Sequence, residues 1–275
     1  MQYFERQNDS LLFRFNGETV MVSPWGEDSL RTRAALFNEL SDNSPALLSP
    51  AKSEPVIELA VITNGKIHAV LSLQDWGDEL QISYYNQKGE LLLQEIPNGG
   101  ALFLKARRFQ SLPGDSFFLT ASFLSNPSEK IYGMGQYQQE TLNLKGCNLE
   151  LAHRNSQASI PFYVSSLGYG FLWNNAAVGD VHFGTNTTQW TARSCKQLDY
   201  WITAGDTPAE IEEAYANATG KSPMMPEYGL GFWQCKLRYY NQEQVLNVAR
   251  EYKKRGIPLD VFVIDYYHWP RCGDY

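Results

Sequence analysis

Cysteine is scarce in this chain. Four cysteines occur in 275 residues, at Cys147, Cys195, Cys235 and Cys272, far apart and with no CxxC pair. That spacing argues against a disulfide framework or a zinc site and leaves reduced thiols as the expectation. Long apolar runs are missing too. No stretch approaches the roughly 18 apolar residues of a membrane helix. The segment Met1–Asp9 has no basic region followed by an apolar one, so no signal peptide is read there. A cytoplasmic protein without a membrane partner is expected. Positive charge is in deficit, with 23 Lys and Arg against 30 Asp and Glu and a net charge of −7. Nucleic acid is therefore not expected as a partner. There is no Gly-rich phosphate loop, no HExxH and no GxSxG, and no cofactor or metal is expected. Sequons begin at Asn8, Asn186 and Asn217 and are read as chance matches.

What is present is a globular composition, with 43% hydrophobic and 19% charged residues. Seven Trp and sixteen Tyr suit either sugar stacking or a β-sandwich core. Residues 1 to about 205 read as β. Val56–Thr63 and Lys66–Leu71 flank Asn64-Gly65, a type I′ hairpin signal. Gln81–Tyr85 and Glu90–Gln94 flank a turn at Asn86–Gly89. Ala101–Phe109 and Ser116–Phe123 flank Pro113-Gly114, and Ile160–Ser165 turns at Leu167-Gly168 into Tyr169–Asn174. Short strands at this spacing predict a sandwich or barrel. Residues 27–53 are polar and Ser/Pro-rich and read as a loop or insertion.

Two helices then carry end signals. Thr207 is an N-cap with Pro208 at N1 and Glu210 at N3. Ile211, Ala214, Tyr215 and Ala218 form the apolar face, and Gly220 stops the helix. After the linker Lys221–Pro226 comes a strand at Tyr228–Gln234. A helix opens at Asn241 with Gln244 as capping partner, presents Val245, Val248, Ala249 and Tyr252, and ends at Gly256 and Pro258. The apolar run Val261–Ile264, bounded by Asp260 and Asp265, reads as a strand buried on both faces. Strand, crossover helix and strand make one βαβ unit. A complete (β/α)8 barrel needs about 250 residues, so this is read as a barrel opening, cut off after its second strand. The domain boundary is expected near residue 225, giving a sandwich at 1–225 and a barrel start at 226–275.

Several of these segments carry a resemblance. Ile131-Tyr-Gly-Met-Gly-Gln136, Gly170-Phe-Leu-Trp-Asn-Asn175, Thr207-Pro-Ala-Glu210, Gly220-Lys-Ser-Pro223, Gly229-Leu-Gly-Phe-Trp-Gln-Cys235 and Asp260–Asp265 resemble, in order and spacing, segments of glycoside hydrolase family 31. The resemblance covers about 131 to 275, and the first 130 residues agree only in β character. It implies a galactose mutarotase-like β-sandwich followed by a (β/α)8 catalytic barrel. It also implies a retaining hydrolase of α-glucosides and α-xylosides, with oligosaccharide as substrate. The sequence leaves the oligomeric state of the full-length protein open, a homo-oligomer included. Retention needs two carboxylates about 5–5.5 Å apart. In the family both are Asp on later barrel strands, so no catalytic residue is assigned in this chain.

Binding residues carry over. Asp265 matches the family's strand-two Asp, which bonds hydroxyls of the −1 sugar. The residue-level argument agrees, because the C-terminal end of a barrel strand faces the active-site mouth and an ionised carboxylate accepts charge-assisted bonds. Loop capping or pairing with Arg271 is the structural alternative. Tyr266 and Tyr267 sit where the family varies its pocket wall. A bulky side chain there crowds a glucose hydroxymethyl and favours xylose, with core packing as the alternative. Trp233, Lys236 and Trp269 are placed at strand ends near the mouth. Stacking on sugar competes there with barrel packing for either Trp, and Lys236 reads equally as a solvated residue. Asn155, with His153 and Arg154, lies in a sandwich loop that in the family reaches the mouth; an exposed hairpin tip is the alternative. The leading reading is thus the N-terminal part of an α-glycosidase, inactive alone. A non-catalytic carbohydrate-binding sandwich with a vestigial barrel segment is the second, and a β-protein with no sugar role the third.

Overall fold

The computed structural model describes residues 3–74, 79–97, 104–265, 268–271 and 274. The chain divides into two compact units, Met1–Lys221 and Ser222–Tyr275.

The first unit is β throughout except for one helix. Eight strands form an antiparallel sheet in the order Phe4–Gln7, Ser10–Phe15, Glu18–Pro24, Ser29–Leu36, Leu198–Ala204, Tyr169–Trp173, Ala158–Ser165, Ile131–Gln136. A five-stranded sheet runs Arg107–Leu112, Ser116–Leu124, Thr187–Cys195, Gly179–Phe183, Asn148–Leu151. Another runs Val56–Glu58, Val61–Asn64, Ile67–Leu73, Leu80–Asn86, Leu91–Gln94. All three contribute to one apolar cluster, which joins Phe13, Val20 and Leu30 to Ile62, Ala69 and Tyr84 and to Leu119, Phe123 and Trp190. Large rings set its geometry. Phe171 and Tyr200 stack at 5.1 Å, and Trp173 and Trp190 at 5.6 Å.

Buried charge ties the sheets together. Arg107 donates through Nε to Glu18 at 2.8 Å, through a terminal nitrogen to Glu95, and through the other to the Leu80 carbonyl at 3.1 Å. Those partners come from the eight-stranded sheet, from the residue following Leu91–Gln94, and from the strand Leu80–Asn86. One guanidinium therefore links all three sheets. Burial pushes the Glu95 carboxyl up, and Arg107 opposes that push.

Residues 27–53 do not form a simple loop. Ser29–Leu36 is a strand, buried from Ser29 to Ala35, paired on one side with Glu18–Pro24 and on the other with Leu198–Ala204. Its charges conceal it in the sequence. Arg31 is fully buried and forks onto Asp199 at 3.0 and 2.5 Å, while Arg33 reaches Asp42 and the Ser41 carbonyl. The run Val56–Thr63 is also broken, because the chain reverses at Leu59, whose φ is 51°. At the next turn Asn64 pairs with Ile67, so the two loop residues are Gly65 and Lys66, of which only Gly65 has positive φ. That is not the expected I′ pairing, which needs both central residues left-handed. Asn64 is held inside instead, donating to the Gly26 and Ser29 carbonyls at 2.7 and 2.8 Å. The strand expected at Ala101–Phe109 runs Arg107–Leu112, and residues 101–103 lie outside the described set.

The helix Pro208–Thr219 forms as its capping signals predict. Thr207 accepts from the Glu210 N–H at 3.3 Å, and the Glu210 carboxylate accepts from the Asp206 N–H at 3.1 Å. Ile211 and Ala218 are buried against Phe162, Leu172 and Trp201.

Arg107→Met should lower the unfolding free energy by about 3–5 kcal/mol at pH 7, because it leaves Glu95 buried without its counterion. A neutral Glu95 carries no such penalty. The loss in urea titrations should therefore shrink as pH falls and the raised Glu95 carboxyl takes up its proton. A deficit that is constant with pH would contradict this assignment.

Candidate functional site

In the second unit a 3₁₀ turn at Glu227–Leu230 precedes the strand Trp233–Lys236, followed by the helix Gln242–Lys254 and the strand Val261–Ile264. The first strand thus starts later than the expected Tyr228–Gln234. The cause is local. The Phe232 N–H donates to the Asp260 carboxylate at 2.9 Å, and a Cβ on Gly231 would fall 2.1 Å from that carboxylate. Gly231 leaves the space that Asp260 needs to hold the strand entry. The two strands pair in parallel, with Trp233 opposite Val261 and Lys236 opposite Ile264.

The helix covers one face of this pair. Asn241 caps it by accepting from the Gln244 N–H at 2.9 Å, while the Gln244 side-chain oxygen accepts from the Tyr240 N–H at 2.9 Å. The Tyr252 hydroxyl donates to the Gln234 side chain, Phe232 stacks on Tyr252 at 5.8 Å, and Tyr239 meets Phe262 at 5.0 Å. Val261–Ile264 was expected to be buried on both faces. In this unit none of its residues is buried, because the helix covers one face only.

Strand alternation then sorts the candidates. Gln234, Lys236, Phe262 and Ile264 take the helix side. Trp233, Cys235, Val261 and Val263 take the other, and Asp265 continues their alternation one residue past the strand. Lys236 and Asp265 therefore end neighbouring strands but belong to opposite faces. The Lys236 ammonium lies 5.8 Å from the Tyr239 ring centroid, a packing contact. Trp233 opens its strand rather than closing it. Its indole donates to the Gly229 carbonyl at 3.0 Å, so it sits at the opposite end from Asp265.

Asp265 is exposed, and its carboxylate has no hydrogen-bond or ion-pair partner among the described residues. The alternative pairing with Arg271 is not formed. The Asp265 carbonyl meets His268 Nδ1 at 2.6 Å, and His268 meets Trp269 edge-on at 4.8 Å. Tyr266 and Tyr267 lie outside the described residues. Asn155 belongs to the first unit, exposed in the turn closed by reciprocal Arg154–Gln157 backbone bonds of 3.1 and 3.2 Å. Its neighbours are occupied: His153 accepts from the Ser159 N–H at 3.2 Å, and Arg154 pairs with Glu150. Sequence reading passed over Asp260 and Cys235. The signals for both were there, in the Gly231 that a carboxylate crowds and in the alternation that sets Cys235 beside Val263.

The profile described as the glycosyl hydrolases family 31 TIM-barrel domain matches residues 222–275. The chain is 47% identical to the uncharacterized family 31 glucosidase ORF2 of Pseudescherichia vulneris, over 96% of this chain and 53% of that protein. It is 31% identical to alpha-xylosidase A of Aspergillus niger, over 99% of this chain and 40% of that protein. A crystal structure of a family 31 alpha-xylosidase from a soil metagenome, complexed with xylose, superposes with a TM-score of 0.87 at 48% identity, over 98% of this chain and 42% of that one. The chain spans about half the length, or less, of these relatives.

An exposed carboxylate without a partner contributes little to folding. Asp265→Ala should leave the unfolding free energy of the 275-residue chain within about 0.5 kcal/mol of the parent. A larger loss in urea titrations would make Asp265 a structural residue.

Proposed function

We propose that the chain belongs to glycoside hydrolase family 31 and is the N-terminal part of a retaining α-glycosidase acting on oligosaccharides, a reading supported by the family 31 barrel match and the likeness to family 31 proteins. The bond cleaved is that of a terminal non-reducing α-linked xylose or glucose. The observation that carries the proposal is the placement of Asp265, exposed at the C-terminal end of a parallel strand, on the face that the helix leaves open. Barrel enzymes bind substrate at that end of the strands. In this role Asp265 is a binding residue. Its two oxygens accept from neighbouring sugar hydroxyls and fix the ring for attack at the anomeric carbon.

The chemistry itself belongs to two further carboxylates, which this proposal puts on barrel strands beyond Tyr275. One attacks the anomeric carbon and forms a glycosyl-enzyme. The other protonates the leaving oxygen and then deprotonates the water that releases the sugar. Xylose is the first choice of sugar, supported by the likeness to the alpha-xylosidases above. Glucose is the second, favoured by the name of the Pseudescherichia relative. The unbridged thiols of Cys147, Cys195 and Cys235 are in keeping with a cytoplasmic setting.

The full-length protein should cleave an aryl α-xyloside faster than the matching α-glucoside, by about 10- to 200-fold in kcat/KM, the range that one hydroxymethyl-sized difference in a pocket supports. The 275-residue chain should cleave neither. Turnover by the short chain, or none by the long one, would overturn the proposal, and a reversed ratio would establish the glucosidase reading. In the full-length protein Asp265→Asn should lower kcat/KM by about 10- to 150-fold, the equivalent of a charged hydrogen bond of about 1.5–3 kcal/mol. An unchanged kcat/KM would remove Asp265 from the site.

A further inference from the structure

The segment read in the sequence as an insertion forms one wall of a pocket far in sequence from Asp265. Residues 37–45 face the end of the strand Tyr169–Trp173 and the turn between Thr187–Cys195 and Leu198–Ala204 across a cavity of about 390 Å³. Its lining is dominated by primary amides, from Asn38, Asn43, Asn174, Asn175 and Gln197. Asp199 also lines it, but that charge is already matched by the buried fork of Arg31. Glu39 and Lys196 bring one charge of each sign. The cavity thus sets its amides on a wall that is mostly apolar, and it is close to neutral.

Its frame is fixed by side chains rather than by the loop alone. Gln197 brackets Ser41, accepting from its N–H at 2.8 Å and donating to its carbonyl at 3.1 Å. Asn174 is buried and bonds the Ser44 hydroxyl at 2.9 Å, and that hydroxyl in turn accepts from the Leu47 N–H at 2.8 Å. Asn175 accepts from the Ala177 N–H at 2.9 Å and also bonds the Cys195 side chain. The side chains of Asn38, Asn43, Glu39 and Lys196 have no partner among the described residues. The unpaired amides of Asn38 and Asn43 therefore stand beside a frame of bonded ones, and a frame already in place lowers the entropy cost of binding.

We propose that this pocket is a second sugar-binding site, separate from the Asp265 face, that takes a single neutral pyranose such as xylose. The class follows from the lining. A sugar hydroxyl both donates and accepts, as an amide does, whereas a phosphate or carboxylate needs an excess of donors and positive charge that the lining lacks. The cavity volume is ample for one pyranose ring and its water. No step of hydrolysis is assigned to it. Its role is to hold a sugar unit on the sandwich.

The test is calorimetric titration of the 275-residue chain with xylose and, separately, with inorganic phosphate. Saturable one-to-one xylose binding should survive Asp265→Asn, and the double variant Asn38→Ala/Asn43→Ala should weaken it at least about tenfold, about 1.4 kcal/mol. Both asparagines lie outside regular elements, and an unchanged urea midpoint checks that the variant folds. Ala176→Trp fills the cavity from its exposed rim and should give the same loss. Absence of saturable xylose binding would overturn the proposal. So would binding abolished by Asp265→Asn but untouched by the pocket variants, or a preference for phosphate. Failure of the glycosidase reading shows separately, as absent turnover by the full-length protein.

Discussion

A single buried guanidinium sets the terms for the first unit. Arg107 is 7% exposed and, from its own sheet, engages Glu18 of a second sheet and Glu95 and the Leu80 carbonyl of a third. Moving these charges out of water is expensive, and only complete pairing repays the cost. The sheets therefore cannot slide or splay independently. Displacing any one of them strands a charge in an apolar core made of Phe13, Phe123, Trp190 and their neighbours. Arginine suits the role because its planar fork serves several acceptors at once and stays charged. The Arg31–Asp199 fork repeats the device inside the eight-stranded sheet, where it pins Ser29–Leu36 to Leu198–Ala204.

Much of the architecture was legible from the residues, and each miss has a physical cause. Both helices formed where their caps and stops placed them, because Thr207 and Asn241 satisfy orphan N–H groups whatever the tertiary context. The strand at Ser29–Leu36 was hidden because Arg31 and Arg33 look like surface residues until Asp199 and Asp42 are seen beside them. Leu59 broke an otherwise continuous β pattern with a left-handed residue that no propensity signals. In the second unit the βαβ order was legible but the strand start was not, since it depends on Asp260 reaching Phe232 across Gly231.

The candidate site divides in the same way. The place of Asp265 just past its strand could be read in advance, because it closes an apolar run. The separation of Lys236 from Asp265 could not, because it turns on which residue pairs with Ile264. Trp233 moved from the mouth to the opposite end of its strand because the strand opens there, beside the entry that Asp260 holds. Tertiary register decides which side chains share a face, and a shift of one residue reverses the answer.

The two units thus use their charged side chains differently. The first unit spends its buried charge on holding three sheets in register, and the second offers one uncommitted carboxylate at a strand end. The most direct test of that account is a crystal structure of the full-length protein with xylose bound in the barrel. The account predicts the Asp265 carboxylate about 2.5–3.0 Å from two adjacent sugar hydroxyls. A bound xylose with Asp265 turned away, paired instead to a protein cation, would contradict it.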